Sequence, residues 1–152
     1  MMNYWLIKSE PEVYSINDLH KDKKTIWEGV RNYQARNFMI DGMKPGDLAF
    51  FYHSNAEPPG IAGLVEILKV NQVDPTQFDK KSDYYDPKST QESPRWKCIE
   101  VKFQKKFKNF LSLQELKKHN KISLMLLLKP GTRLSVQPVT KSEFEYILSL
   151  EK

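Results

Sequence analysis

The sequence predicts an α+β domain, a small curved sheet or barrel with helices around its periphery. Segments that alternate with period two, or are apolar throughout, recur along the chain and read as strands of uneven length. Between them lie short stretches that open on capping-box spacing: Ser15 with Asp18, Ser112 with Glu115, Thr140 with Glu143. No internal repeat, low-complexity tract or linker divides the 152 residues, which suit one domain over residues 1–152.

The elements follow in order. NYWLIK (Asn3–Lys8) is a first strand, stopped by Ser9–Pro11. SINDLHK is a short helix capped by Ser15. The next helix runs from Val30 to Ile40, with Gly29 before it and Gly42 and Pro45 to end it. The turn KPGD feeds the strand DLAFFYH, and EPPG turns the chain into IAGLVEILKV (Ile61–Val70), apolar on both faces and therefore central. WKCIEVKFQKKF (Trp96–Phe107) alternates Ile99, Val101 and Phe103 against Glu100, Lys102 and Gln104. SLQELKKH is a helix, and 122–128 is ambiguous between a short helix and a strand. RLSVQPV (Arg133–Val139) is a late strand, with Pro138 near its end, where a missing backbone donor is tolerated. TKSEFEYILSLEK closes the chain as a helix. The long polar stretch between Val70 and Trp96 contains Phe78, Tyr84 and Tyr85, and is expected to be an ordered loop packed on the body.

Composition narrows the function. Hydrophobic residues are 39% and charged ones 28%, and the net charge is +5, a balance that favours polyanionic partners, nucleic acid first. The single cysteine, Cys98, excludes an internal disulfide and fits a reducing compartment. No apolar run reaches the roughly 18 residues of a membrane span, and the first residues lack the order of a signal peptide. An intracellular, monomeric protein without a membrane partner is expected. His20, His53 and His119 have no metal-ligand spacing, and no glycine-rich phosphate loop is present, so neither metal nor cofactor is expected.

Three clusters carry the candidate chemistry. In TIWEGVRNYQARNFM, Trp27, Tyr33 and Phe38 stand among Arg31, Asn32, Gln34, Arg36 and Asn37. An aromatic wall with directional donors and acceptors at its edge is what a planar heterocycle needs. The same residues also fit a plainer role, with Trp27 in the core, the arginines in surface ion pairs and the amides as caps. In FYHSN, Tyr52, His53, Ser54 and Asn55 stand at a strand end, where sites are common. Neighbouring strand residues point to opposite faces, which speaks against a His53–Ser54 nucleophile pair. FQKKFKNF interleaves Lys105, Lys106 and Lys108 with Phe107 and Phe110, either a phosphate-contacting face or a solvated lysine-rich edge.

Taken together, WLIKSEPEVYSINDL, WEGVRNYQARNFM, GDLAFFYHSN, PGIAGLVEI, YYDP, PRW and LSVQPVTKSEFEYIL resemble the EVE domain family, from Tyr4 to Glu151. The resemblance implies a PUA-like fold, a twisted and partly closed β-barrel with peripheral helices. It implies a non-catalytic reader of a modified base, a modified cytosine in DNA before RNA or a free nucleoside, which captures the flipped base in a pocket. By motif, the pocket would take Lys8, Ser9, Trp27, Gly29, Val30, Arg31, Asn32, Tyr52, His53, Ser54, Ile61, Ala62, Gly63, Tyr85, Asp86, Pro94 and Trp96, with Arg36, Lys105, Lys106 and Lys108 on phosphates. The related ASCH domains include small nucleoside amide hydrolases, and Lys8, Glu10, His53 and Ser54 would be the proton-transfer set of that alternative.

Overall fold

The structure, a computed structural model, describes residues 2–151. A mixed six-stranded sheet organises the chain, in the order β2-β5-β4-β3-β1-β6. The strands are β1 (Tyr4–Ser9), β2 (Lys24–Trp27), β3 (Leu48–His53), β4 (Gly60–Val73), β5 (Lys97–Ser112) and β6 (Val136–Val139). The helices are α1 (Ile16–Asp22), α2 (Tyr33–Asp41), α3 (Leu113–Leu116) and α4 (Lys141–Leu150). β1 runs parallel to β3, and every other pairing is antiparallel.

Strand alternation makes two cores. Trp5 and Ile7 of β1 and Ala49 and Phe51 of β3 enter one apolar cluster, which α1 covers with Ile16 and Leu19 and α2 with Ala35 and Met39. Leu6, Phe50 and Tyr52 enter the other, which α4 covers with Phe144 and Ile147. Both faces of the central strands are thus dry, as continuous apolar runs require. The sheet is not closed, since β2 and β6 remain its edges. Its two ends nevertheless curl together: Trp27 of β2 and Val136 of β6 lie in the same cluster.

Two of the three expected capping boxes form: Ser15 and Asp18, and Thr140 and Glu143, each satisfy the other's backbone N–H. At the third, only the Ser112 side chain caps, accepting the Glu115 N–H, and the helix it opens is the short α3. Other boundaries move. Lys24–Trp27, not foreseen as a strand, pairs antiparallel with the middle of β5. α2 begins at Tyr33 rather than Val30, because the Asn32 side chain accepts the Ala35 N–H at 3.0 Å and makes Asn32 the N-cap. β4 and β5 extend beyond their expected ends, and Arg133–Ser135 precede β6 instead of belonging to it. The ambiguous 122–128 stretch resolves into short 3₁₀ turns ending at Ile122 and beginning at Leu126.

Candidate functional site

A cavity of about 580 Å³ opens where β1 ends, β2 ends and the chain approaches β6. Lys8, Ser9, Glu10, Val13 and Tyr14 form one wall; Thr25, Ile26, Trp27, Glu28, Gly29 and Val30 form another. Ser54, Tyr84, Arg133 and Ser135 complete the lining. The walls are tied together through the backbone: Lys8 N–H donates to the Ser135 carbonyl and Ser54 N–H to the Ser9 carbonyl, both at 2.9 Å.

Buried Asp74 fixes the second wall. It accepts the Gly29 N–H at 2.8 Å, the Arg31 guanidinium at 3.0 Å and the Thr76 N–H at 2.8 Å. Burial alone would raise its pKa, but the hydrogen bonds from Thr76, Gly29 and Arg31 outweigh burial and hold it below the ordinary value. Gly29 sits at φ +85°, and a Cβ there would lie 2.7 Å from the Tyr84 ring. Glycine is therefore what lets Tyr84 close over the chain.

The long loop is ordered, because buried groups anchor it. The Gln77 amide donates to the Asp74 and Trp96 carbonyls and accepts the Trp96 N–H. Trp96 stacks on Tyr33 at 4.8 Å and donates its indole N–H to Asp86 at 2.8 Å. Arg31 donates twice to the Tyr84 carbonyl, at 3.0 and 2.7 Å, and lies over the rings of Tyr84 and Trp96. This clamp delivers the Tyr84 ring, 44% exposed, to the cavity rim.

The cavity's charges are unequal in their commitments. Glu10 accepts from the Asn55 amide at 2.6 Å. Tyr14 donates to Asp22, and burial followed by that bond pushes its pKa to about 12, so it stays protonated. Lys8, Glu28 and Arg133, by contrast, have no ion pair among the described residues. Burial lowers the Lys8 pKa. Burial, and then the Asp74 charge, raise that of Glu28, against the opposing pull of Arg31. Among the described residues no group of three or more His, Cys, Asp or Glu side chains is placed to hold a metal ion.

Residues 3–150 match the EVE domain. The chain belongs to the EVE domain family. Human thymocyte nuclear protein 1 is 44% identical over all of this chain and 75% of its own length. A solved protein of Pseudomonas syringae superposes with a TM-score of 0.94 at 46% identity, covering 98% of this chain and 99% of its own. The human THYN1 protein, solved in complex with 5-methylcytosine containing DNA, superposes at 0.91 with 45% identity, over 99% of this chain and 98% of its own. The EVE domain here has the PUA-like, α+β architecture of these neighbours, with an open sheet edge where closure would complete a barrel. An ASCH protein of Zymomonas mobilis, at 10% identity and TM-score 0.55, shares the fold alone.

Of the expected lining of this EVE domain, Lys8, Ser9, Trp27, Gly29, Val30 and Ser54 meet in the cavity. Arg31, Asp86 and Trp96 lie behind it as the loop clamp, and Asn32 is spent as the α2 N-cap. Tyr52 and Ile61 are in the opposite core, and Ala62 is in the near one. Gly63 is pressed against the Lys105 carbonyl. His53 faces a second depression, with Nε2 accepting the Ile16 N–H at 3.1 Å; burial, then Lys106, lower its pKa. Tyr85 and Pro94 lie on the loop outside the cavity lining. Trp27 is only 8% exposed and meets Phe51 edge-on, so it presents the cavity a narrow strip of ring.

On the basic face, Lys105 pairs with buried Glu151 and Arg36 donates to the Arg95 carbonyl, whereas Lys106 and Lys108 point outward with no ion pair among the described residues. Sequence reasoning passed over Glu28, Tyr84, Tyr14 and Arg133. Two of these adjoin residues it had singled out: Glu28 between Trp27 and Gly29, and Tyr84 before Tyr85.

Proposed function

We propose that this EVE domain binds DNA non-catalytically and reads a modified base, a 5-substituted cytosine, by taking the flipped base into the cavity between Lys8, Trp27, Glu28 and Tyr84. The observation that carries this reading is the human relative, 45% identical over 99% of this chain and solved with 5-methylcytosine containing DNA. The cavity, about 580 Å³, is within the range of ligand pockets. Its lining combines aromatic surface with charge of both signs that makes no ion pair among the described residues, which suits a polar heterocycle.

The energetics are those of base capture. Unstacking a base costs a few kcal/mol. Stacking on an aromatic side chain returns about 1–3 kcal/mol. Tyr84 is the exposed ring at the rim that would stack, and Trp27 walls the inner end with its exposed strip. Val30 and Val13 offer apolar surface for a 5-substituent, Ser54 offers a hydroxyl, and Gly29 seats the Tyr84 ring at the rim. Arg31, Asn32, Asp86 and Trp96 act on the base indirectly, by holding that wall and loop. Lys106 and Lys108, with Arg133 nearer the cavity, are the phosphate contacts of this proposal. The domain works as a monomer, and RNA is the weaker ligand.

The test is a titration followed by tryptophan fluorescence. Matched DNA and RNA oligonucleotides would differ in one base: cytosine, 5-methylcytosine, 5-hydroxymethylcytosine or N6-methyladenine. Selective, saturable binding of one 5-substituted cytosine in DNA is expected. Equal, salt-sensitive binding of all of them would overturn the reading, and consumption of a free N-acylated nucleoside would replace it with the hydrolase of the ASCH comparison.

A further inference from the structure

We infer that Glu28 is the residue that separates 5-methylcytosine from thymine in this cavity, by accepting a hydrogen bond from the exocyclic amine that only the cytosine carries. The inference rests on the proposed base reading and extends it to an edge the methyl group cannot report. Thymine also carries a 5-methyl group. A cavity that fits the methyl therefore admits thymine as readily as 5-methylcytosine, and DNA is full of thymine. Discrimination has to come from the 4-position and N3. There cytosine presents a donor and an acceptor, where thymine presents an acceptor and a donor.

The cavity has two carboxylates for that task. Glu10 is already engaged by the Asn55 amide. Glu28 makes no ion pair among the described residues, and its neighbours hold it in place on both sides. Trp27 is fixed by pairing opposite Ile99, and the Gly29 N–H is fixed on buried Asp74. The backbone at Glu28 is thereby fixed at the cavity wall, and its exposed side chain is within that lining. The carboxylate accepts from the amine of cytosine and opposes the O4 of thymine, acceptor against acceptor, in a site where both lose water. Across the cavity, the Ser54 hydroxyl is the complementary partner for the cytosine N3 and O2 edge. Burial, and then the Asp74 charge, raise the Glu28 pKa above its ordinary value, against the pull of Arg31.

The experiment uses short single-stranded DNA with one central 5-methylcytosine, cytosine, thymine or uracil, so that no partner strand alters the cost of flipping. The 5-methylcytosine to cytosine ratio reports methyl recognition, and the 5-methylcytosine to thymine ratio reports the edge. Wild type is expected to prefer 5-methylcytosine over thymine by about 10- to 100-fold. In Glu28→Gln the amide either accepts or donates. The 5-methylcytosine to thymine ratio should then fall towards one, while the methyl ratio persists. Glu28→Asp, which keeps the carboxylate, should bind more weakly but still reject thymine. An unchanged thymine ratio in Glu28→Gln, or a wild type that accepts both methylated bases alike, overturns the inference and leaves the base reading standing. Loss of the methyl ratio in wild type overturns the base reading itself.

Discussion

Gly29→Ala tests whether the cavity rim depends on one glycine. At φ +85° an L-residue costs about 1–2 kcal/mol of backbone strain. The new Cβ would also meet Tyr84 Cε2, Cζ and Cδ2 at 2.7, 2.8 and 3.0 Å. Carbon atoms pack at about 3.5–4.0 Å, so the ring must retreat by roughly 1 Å. Tyr84 is exposed and can swing outward, so the stability loss is mainly the backbone strain: a fall in Tm of about 2–8 °C for a domain of this size. The binding loss is the stacking contact, about 1–3 kcal/mol, or roughly a 5- to 150-fold rise in Kd for the modified oligonucleotide. Calorimetric Tm and fluorescence titration would be measured for Gly29→Ala, Tyr84→Ala and the double variant. Once Tyr84 is alanine, the second substitution should lower Tm and leave affinity where it was. Wild-type affinity in Gly29→Ala, or an equal affinity loss in both backgrounds, would refute the argument that this glycine exists to seat the tyrosine.

Three further outcomes are expected. Trp27→Ala should cost about 3–5 kcal/mol of stability in chemical denaturation, because the ring is core against Phe51 before it is a pocket wall; a fully stable variant would contradict that. Asp74 has a depressed pKa, so its stabilisation is complete above its ordinary value of 3.8 and is lost as pH falls through that region and below. Asp74→Asn should therefore be less stable by about 1–3 kcal/mol at pH 7, and should lose less on acidification from pH 5 to pH 3 than wild type, as followed by circular dichroism. Lys106→Glu with Lys108→Glu should weaken DNA binding for all sequences and flatten its salt dependence, whereas Lys105→Ala should act first on stability, by leaving Glu151 buried without its partner.

The helices were legible where their caps were local. Ser15 with Asp18 and Thr140 with Glu143 announce themselves within four residues, and the structure forms both. β2 was not legible: KTIW is short and opens on a lysine, and it becomes a strand only through its antiparallel partner in β5. The α2 start was misplaced because two readings of Asn32 compete, base-reading amide and N-cap, and the side chain takes the cap. The pocket was half legible. Motif order named Trp27 and Gly29, but only tertiary structure reveals that Arg31 is consumed in holding Tyr84, and that Glu28 has no ion pair among the described residues. Charge counting marked the lysines of 105–108, and burial then divided them, because Glu151 comes from the far end of the chain.

One feature of the topology bears on how the domain is made. β1 lies between β3 and β6, with Tyr4 opposite Val139, so the first strand waits for the last before its second edge is covered. Such distant pairing carries a large loop-closure cost. The cavity depends on the same closure, since its walls join at the Lys8 to Ser135 backbone bond. An opening that parts β1 from the approach to β6 would therefore part the walls of the site. Ligand at about 100 times its Kd would stabilise the folded state by about 2.7 kcal/mol against any opening that parts those walls, including at residues remote from the pocket that exchange only through it.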